Sequence, residues 1–141
     1  MTGRRIVLDA NILIRAVLGK KVRTLIATYA EEVDFGAPEV AFLDAAEHLP
    51  AIAADRNVDP GPWLDSLAAL RGLVAVLTID QAEHLRDAAL RRIGDRDYDD
   101  WPIVATALAL NCPIWTEDKD FFGIGVPVWK SDHVEIYLKG E

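Results

Sequence analysis

The chain has 141 residues, 51% of them hydrophobic, which excludes disorder and fits one domain, residues 1–141, with a sizeable core. A net charge of −8 argues against holding nucleic acid by bulk electrostatics, yet leaves room for clustered carboxylates to form a site themselves. The single cysteine, Cys112, cannot close an internal disulfide. No signal peptide is evident at the N-terminus, and no apolar run is long enough to span a bilayer, so a cytoplasmic location without a membrane partner is expected.

Arg5–Ile14 reads RIVLDANILI. Its short apolar run, Ile6–Leu8, suits a strand buried on both faces of a parallel sheet. Asp9 then stands where the strand ends and a helix over Ala10–Val17 begins. It is placed either to cap that helix or to serve a site beyond the strand's carboxyl end. Val22, Leu25, Ile26 and Tyr29 recur at helical spacing, predicting a helix to about Glu32. Val33–Gly36 is the next strand candidate. Pro38 suits the start of the following helix, EVAFLDAAEHL, in which Pro50 threatens a kink.

Asp59–Pro60 opens a helix through Trp63, Leu64, Leu67 and Leu70, closed by Gly72, and Leu73–Leu77 is a strand. Asp80 and Glu83 have the spacing of a capping box for the helix carrying Leu85, Ala89 and Ile93. The acidic loop Gly94–Asp100 leads into Trp101–Leu110, a helix apolar nearly all round and therefore deeply buried. Pro113–Trp115 is a short strand, Val126–Trp129 an edge strand because of its proline, and His133–Leu138 alternates weakly, as a final strand would. Strands alternating with helices imply a three-layer α/β/α sandwich with a mostly parallel central sheet.

Two acids directly follow buried strands: Asp9, and Asp118 after Pro113–Trp115. Asp100 opens the most buried helix. If the first strand and Pro113–Trp115 are neighbours, these three lie at one end of the sheet. A fourth would come from the helix after Pro38, where Asp44 and Glu47 straddle Val40 and can both face the sheet. Each has a plainer alternative, as a helix cap, a turn residue or a solvated side chain. Crowded carboxylates repel unless a cation or raised pKa values make them tolerable. Oxygen donors without a Cys or His cluster suit Mg²⁺ or Mn²⁺ rather than zinc.

VLDANILI, APEVAFLDAAEHL, DDWPIVATALAL and PIWTEDKDF, in that order, resemble the acidic motifs of PIN-domain nucleases, specifically the single-domain VapC-like toxins of bacterial toxin–antitoxin pairs. The resemblance spans nearly the whole chain. It implies an endoribonuclease in which Asp9, Asp44, Asp100 and Asp118 hold one or two Mg²⁺ or Mn²⁺ ions. Asn11, Thr116 and Asp120 fall at supporting positions, Asp120 being a further candidate at the metal. An RNA substrate, a cognate antitoxin and a homodimer are implied as partners. The family usually has Glu as its second acid, and here either Asp44 or Glu47 takes that place.

Two other readings stay open. Asp-x-Asn after a strand superficially resembles aspartyl phosphotransfer enzymes, which need a lysine after a later strand, with Lys119 the nearest candidate. A catalytically inactive PIN-like module that binds only a partner protein is the other. Arg15, Lys20, Lys21 and Arg23 form either a basic flank for an RNA backbone or a solvated helix face.

Overall fold

A computed structural model describes residues 3–96 and 98–140, and for Tyr98 the backbone alone. The first strand, β1 (Arg4–Leu8), buries Ile6, Val7 and Leu8 completely, as a strand covered on both faces must. It pairs in parallel with β2 (Val33–Pro38) on one side and β4 (Ile114–Trp115) on the other. β3 (Val74–Leu77) extends the sheet beyond β2, and β5 (Val128–Trp129) beyond β4. The order is β3-β2-β1-β4-β5, with every described pair parallel. The expected α/β/α architecture is therefore observed, with β5 at an edge.

Three helices, α1 (Ala10–Leu18), α3 (Glu39–Asp55) and α4 (Gly61–Leu70), pack against one another, and α2 (Lys21–Tyr29) joins them through α1. The helix α7 (Trp101–Leu110) packs on β1, β2 and β4 together with α5 (Ile79–Ala82) and α6 (Arg86–Ile93). Its residues Pro102–Ala107 are all buried, and the Thr106 hydroxyl is satisfied by the Pro102 carbonyl one turn back at 2.7 Å. Among the described residues, no helix is long and apolar enough to cross a membrane.

Pro50 lies inside α3, which continues past it to Asp55, with the proline exposed. Three local expectations are corrected. The capping box before α5 is formed by Thr78 and Gln81, not Asp80 and Glu83. β3 ends at Leu77, so Thr78 is the last extended residue, and its hydroxyl and the Gln81 carboxamide exchange bonds with each other's N–H. The expected single helix through Leu85 and Ile93 is divided by a 3-10 turn at Glu83–Leu85. The tail forms a helix, α8 (Val134–Lys139), not a strand: Val134 and Leu138, four apart, are its buried residues. In the acidic loop, Tyr98–Asp100 is a 3-10 turn, while Asp97 lies outside the described residues.

Candidate functional site

Because β2 and β3 lie to one side of β1 and β4 and β5 to the other, the strand order reverses between β1 and β4. A crevice forms beyond the carboxyl ends of strands at such a point. The register pairs Leu8 with Trp115, which puts the next residues, Asp9 and Thr116, side by side. The Thr116 hydroxyl, fully buried, donates to Asp9 Oδ2. The other carboxylate oxygen, Oδ1, accepts the Ile12 N–H at 2.9 Å, so Asp9 does cap α1.

Thr116 Oγ1 also accepts the Asp118 N–H at 2.9 Å, and Asp118 Oδ1 accepts the Asp120 N–H at 2.9 Å. A short chain of bonds thus runs from Asp9 through Thr116 to the turn after β4. Arg96 pins the far side of that turn by donating to the carbonyls of Asp120, at 2.7 Å, and Phe122, at 2.5 Å.

Asp9 is only 6% exposed. Burial pushes its carboxyl pKa above the ordinary value, the bonds from Thr116 and Ile12 pull it back, and the charges of Asp118 and Glu117 push it up again. A negative charge held in such a place is a strong local attractor for a cation.

The cleft around Asp9, of about 90 Å³, is also lined by Asn11, Asp44, Asp99, Asp100 and Asp118. All four acids expected from the sequence therefore meet at one place. Asp44 reaches it beside Val40 and Ala41, whereas Glu47, one turn further along α3, does not line it. The buried stripe Ala41–Ala45–Leu49 fixes that orientation; Asp44 and Glu47 are both exposed, but only Asp44 is on the side that lines the cleft. Asp120 also stays outside the cleft with an exposed side chain; its contribution is the backbone N–H to Asp118. Lys119 is not among the lining residues either. Asp99 is the addition that the sequence reading passed over, although the Asp99–Asp100 doublet was its signal. Among the described residues, no three His, Cys, Asp or Glu side chains stand close enough to form a ready-made metal cage.

The sequence matches the family model of the PIN domain over residues 7–139. The chain belongs to the PIN-domain family. The expected family is thereby borne out, and the motifs around Asp9, Asp44, Asp100 and Asp118 all lie within the matched span. Solved PIN-like structures share its fold at low identity. PAE2754 from Pyrobaculum aerophilum superposes with a TM-score of 0.70 at 14% identity, covering 98% of this chain and 91% of that one. VapBC2 from Rickettsia felis, bound to a DNA fragment from its promoter, gives 0.66 at 12% identity, with coverages of 89% and 98%. A toxin–antitoxin complex from Klebsiella pneumoniae gives 0.63 at 21%, with coverages of 89% and 97%. No curated protein matches this PIN domain.

Proposed function

We propose that this PIN domain is a Mg²⁺- or Mn²⁺-dependent endoribonuclease and the toxin of a toxin–antitoxin pair, hydrolysing RNA phosphodiesters by attack of water. The observation that carries the reading is the convergence of Asp9, Asp44, Asp100 and Asp118 on one cleft at the strand-order reversal. The donor set suits a small hard cation, since every polar side chain lining the cleft is a carboxylate or a carboxamide. Mg²⁺ commonly keeps several waters and takes only one or two carboxylates directly, so a preformed three-carboxylate cage is not required of such a site.

Asp9 and Asp100 would be the principal ligands, Asp118 would complete the set, and Asp44 would hold the ion or orient the attacking water. The bound ion would neutralise the scissile phosphate, acidify water and stabilise the leaving oxygen. The chain's own part is to hold these groups still. Thr116 fixes the rotation of the Asp9 carboxylate, and the Asp120 N–H fixes that of Asp118. An antitoxin partner is supported by the fold neighbours solved as toxin–antitoxin complexes, and a homodimer by the resemblance of the motifs to VapC-like toxins.

The test is cleavage of a structured RNA in Mn²⁺, in EDTA, and by Asp9→Asn. Cleavage in Mn²⁺ alone supports the reading, and cleavage that survives both chelation and substitution ends it. Asp44, standing where the family that the motifs resemble usually has Glu, favours one second reading, a protein-binding module without activity. That reading predicts correct folding, no cleavage, and a melting temperature insensitive to either ion.

A further inference from the structure

A second and larger pocket, of about 490 Å³, lies beside the acidic cleft, and its charge is opposite. Five cationic side chains line it: Arg15, Lys20, Lys21, Arg56 and Lys130. They are a third of the chain's fifteen Lys and Arg residues, facing only Glu117 and Asp132. In a chain of net charge −8 this is a concentrated exception. All five are exposed, and among the described residues none lies within 4 Å of a carboxylate oxygen.

Local helix structure does not account for the two lysines Lys20 and Lys21. Lys20 is the N-cap of α2 and Lys21 its first residue, where the helix dipole disfavours cations, and Lys20 makes no capping bond. A helix N-terminus flanked by two lysines is, however, well suited to an anion. Arg56 holds another wall from the end of α3, its guanidinium 5.8 Å from the centre of the Trp63 ring.

The two pockets share their supports. On α1, Asn11 lines the acidic cleft while Arg15 and Leu18 line the basic pocket, Arg15 being about 6 Å further along the axis by helical rise. After β4, Glu117 lines the basic pocket and Asp118 the acidic one. The Glu117 carboxylate is tied back by the Ser131 N–H at 2.7 Å.

We infer that the basic pocket is a phosphate-binding subsite that grips the RNA backbone next to the scissile bond. This rests on the nuclease reading, and it deepens it: the acidic cleft does the chemistry, and the substrate's affinity comes from α2's N-terminus, Arg15 and Lys130. Of the flank seen in the sequence, Arg23 is left out, whereas Arg56 and Lys130 join from distant segments.

The test is equilibrium binding of a fluorescent single-stranded RNA to the intact chain in EDTA, titrated against salt. Each phosphate contact contributes a slope of about −0.7 in log affinity against log salt. The paired variant Arg15→Glu/Lys130→Glu should bind at least about tenfold more weakly and lose about 1.4 from the slope. Lys20→Gln/Lys21→Gln, the milder pair, should move both readings the same way, with thermal melts of both pairs confirming the fold. Arg23→Gln, an exposed cation outside the pocket, should keep the wild-type slope. Unchanged binding by both pairs, or RNA binding without salt dependence, would overturn the subsite. So would variants that bind RNA normally yet lose a purified partner protein, which would assign the pocket to a protein interface. Wild-type binding that is salt-dependent and lost in the variants, without any cleavage in Mn²⁺, would leave the subsite standing and remove the nuclease reading instead.

Discussion

Thr116→Val isolates what a single hydroxyl does in this fold. Valine keeps the shape of threonine, and the side chain is fully buried, so packing should change little. Two hydrogen bonds are lost: the one donated to Asp9 Oδ2, and the one accepted from the Asp118 N–H at 2.9 Å. The first reaches a charged partner, worth about 1.5–3 kcal/mol, and the second a neutral one, worth about 0.5–1.5 kcal/mol. The Asp118 N–H is only partly buried and can turn to water, so the smaller end applies to it. A loss of about 2–3.5 kcal/mol is expected, which at about 4 °C per kcal/mol for a domain of this size lowers the melting temperature by about 8–14 °C. Thr116→Ser keeps the hydroxyl and gives up one buried methyl, about 1 kcal/mol. Urea and thermal melts of the three proteins in EDTA separate the cases. The Asp9 carboxyl should also titrate at higher pH in Thr116→Val, because the bond that pulls its pKa down has gone. Equal losses for the valine and serine variants, with the Asp9 titration unmoved in both, would refute the reasoning.

Three further outcomes are expected. Burial holds the folded-state pKa of Asp9 above its unfolded value, so the folded chain keeps that proton longer and stability falls as pH rises between the two values; Asp9→Asn should remove this decline and gain stability relative to wild type at pH 7 but not at pH 3, which urea midpoints at both pH values in EDTA would check. The thiol of Cys112 is buried and pushed up to about 12, so iodoacetamide at pH 8 should leave it intact in the folded chain and alkylate it readily in urea. Asn111 ends α7 in the left-handed conformation, with φ 51°; Asn111→Gly should be tolerated, while Asn111→Ala should cost about 1 kcal/mol by chemical denaturation.

The parts of the site legible in the sequence are those fixed by chain punctuation. Asp9 and Asp118 follow short apolar runs, and Asp100 precedes an apolar helix, so their positions at strand and helix ends were readable before any contact was known. Asp44 was harder, because α3 is apolar on most sides; only the small alanines of its packed stripe distinguish Asp44's side from Glu47's, and that distinction depends on what α3 meets. The cap at Thr78 is not legible from the acidic spacing, because α5 begins at Ile79, two residues before a cap at Asp80 would start it. The tail was misread for a related reason: Val134 to Leu138 satisfies both a weak alternation and a helical repeat, and packing selects the second. The basic pocket could not be read in full, since Arg56 and Lys130 join Arg15 only through the tertiary fold.

The pairing of Leu8 with Trp115 has a consequence for how this chain can change in length. β4 is two residues long, so little of its own backbone holds the alignment. Ser131 supplies an outside anchor, accepting the Trp115 indole N–H at 3.0 Å and donating its own N–H to Glu117. A slip of one position would put a carboxylate, Glu117, where Asp9 now meets a hydroxyl, replacing a donor with a like charge. A single residue deleted between Cys112 and Thr116 should therefore be far more damaging than one deleted in the exposed loop around Gly123 and Gly125. Alignment of two short strands is, for this chain, a choice between attraction and repulsion at its most buried acid.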